Sequence, residues 1–391
     1  MTSNGVRQSI YYILLLYALS SLVSIGGTSI TMYLALLLAL VFWFRDRWQI
    51  PSDARGVIYA AGVFIAALAV TAVFSTDLLF SAKRVVAEVT RFIPLLLVVL
   101  FIDAAPKLKA IVAMLALSTL AADGYAIWQS FHGFARPFAF VNQPVVFAAL
   151  LLGIIPLLTV VGLEEKTWNW QWRGGLLAVA LLSIFVMVLT GTRGAWIAMA
   201  VTFLVYVVLA VWHNRQGAII VALVLILLCA AFLSVPVLKE RINSISDTQL
   251  VSNTERLVMW TSAWQMFKDH PLTGVGLGRY SDMDRLYYWQ PQSQEPVHMH
   301  AHSTYFNFLS ETGLIGFAAF WVLFGYILYA SGRKYWASRR DYWSLAMLLT
   351  TIAFLIEGLT EYNFGHLLIL RLFTFVLGLT LVGSRFQRAR R

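Results

Sequence analysis

Long uninterrupted runs of apolar residues dominate the chain, and they predict its fold class. Runs of about 17–25 residues suit an α-helix that crosses a bilayer, whereas the strands of a membrane β-barrel alternate in segments of about 10. The pattern therefore predicts an all-α polytopic membrane protein. We predict about twelve spans, at residues 8–26, 28–44, 56–75, 89–103, 107–128, 144–163, 174–190, 194–212, 216–236, 304–330, 343–361 and 366–384.

The fourth predicted span is short and follows an amphipathic stretch, residues 77–91. In a helix, Arg84, Glu88 and Arg91 share one face of this stretch, because side chains three or four residues apart are neighbours. Two interpretations stay open. The stretch is either an interfacial helix on anionic lipid, with an Arg84–Glu88 ion pair, or a part of a substrate-binding site.

Composition excludes several classes of protein. Hydrophobic residues make up 60% of the chain and charged residues 12%, whereas soluble domains carry about 25% charged residues. A soluble enzyme, a disordered protein and a fibrous protein are therefore excluded. The single cysteine, Cys229, lies in an apolar run, which excludes an intrachain disulfide and a cysteine-based metal site. No small-residue cleavage site follows the first apolar run, so we interpret that run as a retained span.

The distribution of basic residues predicts the orientation. Connections on the cytoplasmic side of a membrane are enriched in Lys and Arg. With both termini in the cytoplasm, that side holds 17 of the 29 basic residues, including those of the C-terminal RFQRARR. Six of the other basic residues lie in one long connection, residues 237–303, which the rule discounts. We expect one membrane domain, residues 1–391, with this connection inserted between spans 9 and 10. The net charge of +10 then reflects topology and not nucleic-acid binding.

Six basic residues outside the long connection lie on the non-cytoplasmic side, against this rule. They are candidates for binding an anion: Lys83, Arg84, Arg91, Arg136, Arg193 and Arg371. Arg193 lies in a very short turn, where a guanidinium is costly unless it has a partner or faces a wet cavity. It either snorkels to lipid phosphates or binds a phosphate of the substrate. Arg371 is expected instead to form a buried ion pair with Glu357 across a helical hairpin.

Three histidines spaced by two, His298, His300 and His302, end the long connection. In an extended segment they point to one side, which suits a metal, but no further His or carboxylate is adjacent. They are otherwise solvated loop residues, or one of them is a general base, because imidazole titrates near neutral pH. The DMD sequence at 282–284 contains a possible metal-binding acid pair, and we favour surface acids there.

The long connection also contains a predicted helix that Pro271 ends. Arg256, Trp260, Trp264 and Phe267 fall on one side of this helix. The GVGLG sequence that follows predicts a bend and is not a P-loop, because it lacks GK[ST]. Arg256 and Arg279 flank the whole element.

These motifs together resemble the O-antigen ligase and polymerase superfamily, which also contains bacterial protein O-oligosaccharyltransferases. The ligase signature is His and a small polar residue, nine residues, then G-x-x-G. It matches His302-Ser303, residues 304–312 and Gly313-Leu-Ile-Gly316. The family's second element, R-x-x-[ML]-[WY] followed by P-L-x-G-x-G, matches RLVMW from Arg256 and PLTGVG from Pro271. The family's R-P-x-x-x-x-N loop matches RPFAFVN from Arg136.

The resemblance implies a GT-C-like inverting glycosyltransferase of the bacterial inner membrane that uses no metal or other cofactor. Its donor would be O-polysaccharide on undecaprenyl pyrophosphate, and its acceptor a sugar of the lipid A–core, at the periplasmic face among membrane lipids. His302 would be the general base, with His298, His300 and Ser303 as possible supporting residues. The pyrophosphate would be bound by a set of basic residues: Arg193, Arg256, Arg279, Arg136, Lys83, Arg84 and Arg91.

Three alternatives stay open. An O-antigen polymerase and a protein O-oligosaccharyltransferase share this chemistry and differ in the acceptor. The chain has one sizeable non-cytoplasmic connection and no Arg-x15-Gly pattern from its periplasmic arginines, which favours a ligase over a polymerase. The third alternative is a transporter or flippase of lipid-linked oligosaccharide. Transporters place polar groups near the bilayer midplane, whereas these spans are almost free of midplane charge.

Overall fold

The computed structural model describes residues 3–245, 247, 250–337 and 341–390. Within these ranges the regular structure is helical, with no strand, so the predicted all-α polytopic class is confirmed. The helices are α1 (Ser3–Ser20), α2 (Ile25–Asp46), α3 (Ser52–Val73), α4 (Leu78–Arg91), α5 (Ile93–Phe101), α6 (Ala105–Phe131), α7 (Pro144–Glu164), α8 (Trp170–Leu189), α9 (Arg193–Ala210), α10 (Arg215–Ser234), α11 (Pro236–Asn243), α12 (Val251–Asp269), α13 (Tyr280–Met283), α14 (Thr304–Ala337), α15 (Tyr342–Glu357) and α16 (Leu367–Ala389).

Nine of the described helices are long and apolar enough to cross a membrane, and α15 is a shorter apolar helix. Helices α1 and α5 occupy the two remaining predicted spans. The fourth predicted span, residues 89–103, is shorter in the structure. Helix α5 has only nine residues, and with a rise of about 1.5 Å per residue such a helix is too short to cross a bilayer. Phe92 separates α5 from the amphipathic α4. Pro94 at the start of α5 has no N–H to continue the hydrogen bonds of α4.

Helices α7 and α16 form the centre of the bundle. In their most apolar segments 89% and 94% of residues are buried, against 17% in α10. Helix α16 packs on α5, α7 and α15, while α15 packs on α7, α9 and α14. The low burial of α10 places it at the periphery, where its apolar surface suits lipid contact.

Basic residues that were predicted for the cytoplasmic side lie together at one end of the bundle. Arg385 and Arg388 are 3.2 and 3.6 Å from Asp53 at the start of α3, and Arg390 is 3.5 Å from Glu165 after α7. Arg391 lies outside the described residues. The opposite end carries the long connection and the connection between α15 and α16. The structure thus places the basic C-terminal end of α16 and the long connection at opposite ends of the bundle.

The long connection between α10 and α14 is folded. It contains α11, α12 and α13, and α13 continues into a π-helical turn, Asp284–Tyr288. A small separate core joins α12, α13 and the segments next to them: Met259, Ala263, Met266, Val275, Tyr280, Met283 and Ala301. Because α12 and α13 also pack on α14, the connection is held on the membrane bundle.

Two glycine-containing motifs meet backbone to backbone. Helix α14 is broken at Gly313, which has a φ of 58°. The N–H groups of Val275 and Gly276 donate to the carbonyl oxygens of Ser310 and Glu311 at 2.9 Å. A Cβ atom on Gly313 would collide with the backbone of Leu272. The segment after α12 therefore supplies hydrogen bonds that the break in α14 leaves open.

Two predicted ion pairs are replaced by other contacts. Glu88 pairs with Arg91 at 2.8 Å rather than with Arg84, because both side chains face the buried side of α4. Arg371 donates to the hydroxyl groups of Ser29 and Tyr33, at 3.0 and 3.2 Å. Glu357 accepts from Asn363 at 3.3 Å. The turn between α15 and α16 therefore aims these two side chains at different neighbours.

Candidate active site

His302 lies immediately before α14 in an unusual backbone conformation. Its φ of 44° is in the left-handed region, which is rare for a residue other than glycine and which recurs at functional sites. Its Nδ1 is 3.0 Å from Oε2 of Glu361. A carboxylate can only accept, so Nδ1 carries the proton and Nε2 is left with a free lone pair. Its side chain is 37% exposed, so this nitrogen is available to a substrate.

Glu361 lies in the connection between α15 and α16 and has two partners. Its Oε2 accepts from His302, and its Oε1 pairs with Nη2 of Arg256 at 2.6 Å. Burial by itself would raise the pKa of Glu361, but the hydrogen bond from His302 and the charge of Arg256 hold it below its ordinary value. The carboxylate is therefore ionised and accepts from both the imidazole of His302 and the guanidinium of Arg256.

The sequence prediction did not include Glu361. The available signal was an acidic residue in a short connection between two apolar spans, which is the argument applied to Arg193. The connection itself is held by Arg91, which is buried and donates to the carbonyl oxygens of Phe364 and Gly365 at 2.8 and 2.9 Å. Arg91 thus supports the loop that carries Glu361.

A cavity of about 390 Å³ lies beside Glu361 and is strongly cationic. It is lined by four arginines: Arg136, Arg193, Arg241 and Arg256. Only two carboxylates, those of Glu361 and Asp247, are among its described lining residues. This excess of fixed positive charge suits a bound anion. The prediction missed Arg241 because this residue lies outside the motifs that pointed to Arg256 and Arg279 in the same connection.

Neutral acceptors hold two of the arginines of this cavity, Arg136 and Arg193, in place. Arg136 donates from Nε to the carbonyl oxygen of Thr190 at 2.7 Å. Arg193 donates to the carbonyl oxygen of Ser244 at 2.7 Å and to Oδ1 of Asn253 at 2.9 Å. Burial and then the positive charge of Arg241 lower the pKa of Arg136. These guanidiniums are thus oriented but not neutralised by their protein partners.

A second cavity, of about 370 Å³, adjoins the cationic cavity. Glu361 and Val145 line both cavities. The polar lining of the second cavity is rich in histidine and amide side chains: Gln143, His298, His300, His302, Asn363 and His366. The structure therefore brings all three predicted histidines to one cavity.

His298 has a different environment from the other two histidines. It is buried between two carboxylates, with Nδ1 2.9 Å from Asp284 and Nε2 3.3 Å from Glu255. Asp284 is itself fully buried, so the expectation of a surface acid is wrong for this residue. Asp282 instead pairs with Arg279 at 2.8 Å. These contacts give His298 a role in holding the folded connection together.

The three histidines do not together form one group of potential metal ligands in the described part of the chain. Within the described part of the chain, the donor atoms that cluster are those of Glu255, Glu295 and His298, all within 4.8 Å of one another. His300 and His302 are not members of this group. Ser303 is buried, and its hydroxyl donates to the carbonyl oxygen of Gly358 at 3.5 Å, so it fixes the backbone beside His302.

Four of the predicted phosphate-binding residues lie outside the lining of the cationic cavity: Lys83, Arg84, Arg91 and Arg279. Arg84 and Arg279 instead approach the ring of Phe80, at 5.2 and 5.5 Å from its centroid. Arg256 lies within α12, whereas Arg279 lies beyond the end of that helix, immediately before α13. The predicted arginines therefore do not form one group in the structure.

Comparison with known proteins adds one family. Residues 178–321 match the family described as O-antigen ligase. The matched segment covers less than half of the chain. It runs from α8 into α14 and contains Arg193, Arg256 and His302. No curated protein matches the chain. The match supports assignment of the chain to the O-antigen ligase family, and it confirms the resemblance that the motifs indicated.

Proposed function

We propose that this bacterial membrane protein of the O-antigen ligase family transfers O-polysaccharide from undecaprenyl pyrophosphate to a sugar hydroxyl of the lipid A–core. The reaction would take place at the periplasmic face of the inner membrane, with both termini in the cytoplasm. One observation carries the proposal. The Glu361 carboxylate holds both the imidazole of His302 and the guanidinium of Arg256. A base and a cationic anion site therefore meet at one residue.

His302 is the general base in this proposal. Its Nε2 takes the proton of the acceptor hydroxyl as that oxygen attacks the anomeric carbon of the donor sugar. The Nδ1–H bond to Glu361 holds the ring in the tautomer that leaves Nε2 free and stabilises the imidazolium that forms. The new bond joins the acceptor oxygen to the anomeric carbon. The bond that breaks joins this carbon to the pyrophosphate oxygen, so the configuration inverts.

The cationic cavity holds the leaving group. The electron pair of the broken bond stays on the lipid-linked pyrophosphate, and positive charge fixed near that oxygen stabilises the transition state. Arg136, Arg193, Arg241 and Arg256 supply this charge in the proposal. Guanidinium groups suit the task because their planar donors match phosphate oxygens in pairs. The leaving group then departs without being protonated.

The polymerase and the protein transferase would use the same groups and differ only in the acceptor. The flippase alternative is less well supported, because the charged side chains of the site gather at one end of the bundle. Transport by a broken-helix mechanism would favour polar groups at the midplane.

Transfer by purified protein tests the proposal. The assay combines undecaprenyl-pyrophosphate-linked polysaccharide with lipopolysaccharide that lacks O-antigen, in excess EDTA. We expect wild type to make ligated product and His302→Ala to be slower by about 10²–10⁴-fold. His132→Ala is the matched control, because His132 ends α6 and stacks on Trp128, away from both cavities.

Three results would overturn parts of this proposal. Full activity of His302→Ala would remove the base assignment. Loss of wild-type transfer in EDTA would require a metal in the reaction. Extension of the donor polysaccharide without transfer to lipopolysaccharide would identify a polymerase.

A further inference from the structure

We infer that the second cavity, beside Gln143, His300 and His366, binds the acceptor saccharide, so that nucleophile and leaving group occupy separate cavities that meet at Glu361. The inference rests on the proposed function and deepens it by giving each substrate its own cavity. The ligand class is an uncharged, hydroxyl-rich sugar ring.

The two cavities are lined by different kinds of charged and titratable side chains. Among the described lining residues, every arginine belongs to the first cavity and every histidine, including His302, to the second. Glu361 lines both. Inverting transfer needs the activated hydroxyl on the face of the sugar opposite the departing group. A base that opens only to the second cavity therefore requires the acceptor to arrive there.

The polar groups of the second cavity suit hydroxyl groups rather than phosphates. Burial lowers the pKa of His300 to about 4, so this ring is neutral. Its Nδ1 accepts from the backbone N–H of His302 at 3.2 Å, which leaves Nε2 as a proton donor. Burial, followed by the charge of Arg91, also lowers the pKa of His366. The carboxyl groups of Glu295, Glu357 and Glu361 also line this cavity. Neutral donors together with carboxyl acceptors bind sugar hydroxyl groups without attracting the pyrophosphate.

Two further side chains of this cavity, those of His366 and Gln143, can form hydrogen bonds with a ligand. Nδ1 of His366 has no partner among the described residues. Gln143 precedes α7, is exposed and makes no side-chain capping bond to that helix. By contrast, Asn363 is occupied, since it accepts from Thr304 at 2.8 Å and donates to Phe354 at 2.7 Å. The volume of about 370 Å³ is within the roughly 300–1,000 Å³ range of small-molecule sites.

Cysteine labelling maps the two cavities without requiring turnover. The background is the full chain with Cys229→Ala, because Cys229 is exposed. Gln143→Cys reports on the second cavity, and Ser252→Cys, also exposed, reports on the first. The two probes are deacylated core oligosaccharide and inorganic pyrophosphate, each added before a thiol-specific reagent.

We expect the oligosaccharide to slow labelling at position 143 by at least about fivefold and to leave position 252 unchanged. Pyrophosphate should show the opposite pattern. Protection of position 252 alone by the oligosaccharide, or of neither position, would overturn the inference. These results do not depend on catalysis, so they remain distinct from a failure of wild type to transfer polysaccharide, which would contradict the proposed function.

The KM values for acceptor and donor give a second, independent test of the cavity assignment. His366→Gln should raise the KM for the acceptor by about 3- to 10-fold, as expected for one lost hydrogen bond, with little change in the KM for the donor. Arg241→Ala should raise the KM for the donor instead. A rise in donor KM for His366→Gln, with acceptor KM unchanged, would also overturn the assignment.

Discussion

Glu361 and His302 are 59 residues apart in the chain, and Oε2 of the carboxylate lies 3.0 Å from Nδ1 of the imidazole. The histidine comes from the end of the long connection and the glutamate from the turn between α15 and α16. This contact fixes which imidazole nitrogen carries the proton. It therefore decides whether His302 can act as a base, and it can be tested directly.

Glu361→Gln should lower kcat by about 10²-fold or more, because the neutral amide cannot stabilise a protonated His302 and leaves Arg256 without its carboxylate. The measurement is single-turnover transfer with saturating donor and acceptor. Glu240→Gln is the control, since it makes the same change of charge at an exposed position of α11. Equal rates for the two variants would show that Glu361 has no catalytic role.

The same carboxylate predicts a pH dependence of stability. A carboxyl with a lowered pKa in the folded state contributes stability that is present above its unfolded pKa of about 4.3 and lost as pH falls through the folded value. Wild type should unfold at a higher temperature than Glu361→Gln near neutral pH. The difference should shrink as pH falls below about 4. Thermal unfolding in detergent measures this, and a constant difference across the range would contradict it.

Gly313 should be intolerant of a side chain. Gly313→Ala places a Cβ against the backbone of Leu272 and forces a left-handed conformation, which costs at least about 1–2 kcal/mol before any clash. Gly325→Ala, in the same helix, has nothing within 4 Å of its added Cβ and should be neutral or slightly stabilising. Thermal unfolding compares the two variants. Similar midpoints would show that the contact with the segment after α12 is not required.

Arg91 and Arg136 should behave differently, although both were predicted to bind pyrophosphate. Arg91→Lys removes the paired hydrogen bonds to Phe364 and Gly365, so the loop that carries Glu361 should loosen and kcat should fall with the donor KM unchanged. Arg136→Lys should raise the donor KM several-fold, because Arg136 lines the cationic cavity. Steady-state kinetics with varied donor separates the cases. A raised donor KM for Arg91→Lys would show that Arg91 contributes to donor binding after all.

The membrane architecture could be predicted from the amino-acid sequence alone. Ten of the predicted spans correspond to long or moderately long apolar helices, and the amphipathic stretch at 77–91 is α4. These features are local, because bilayer thickness sets helix length and the 3.6-residue period sets which side chains share a face. The motif around His302 was visible for the same reason, since its residues are consecutive.

The contacts between distant side chains could not be predicted in this way, because they depend on how the helices pack. Arg256 and Glu361 are 105 residues apart, and no local pattern links them. Arg91 and Arg279 have the charge that a phosphate site needs, but Arg91 is turned to backbone carbonyl groups and Arg279 to Asp282. Charge and sidedness can be read along the chain. The position of each guanidinium depends on how α4, α12 and the loop between α15 and α16 pack, because side chains meet across helices that are distant in sequence.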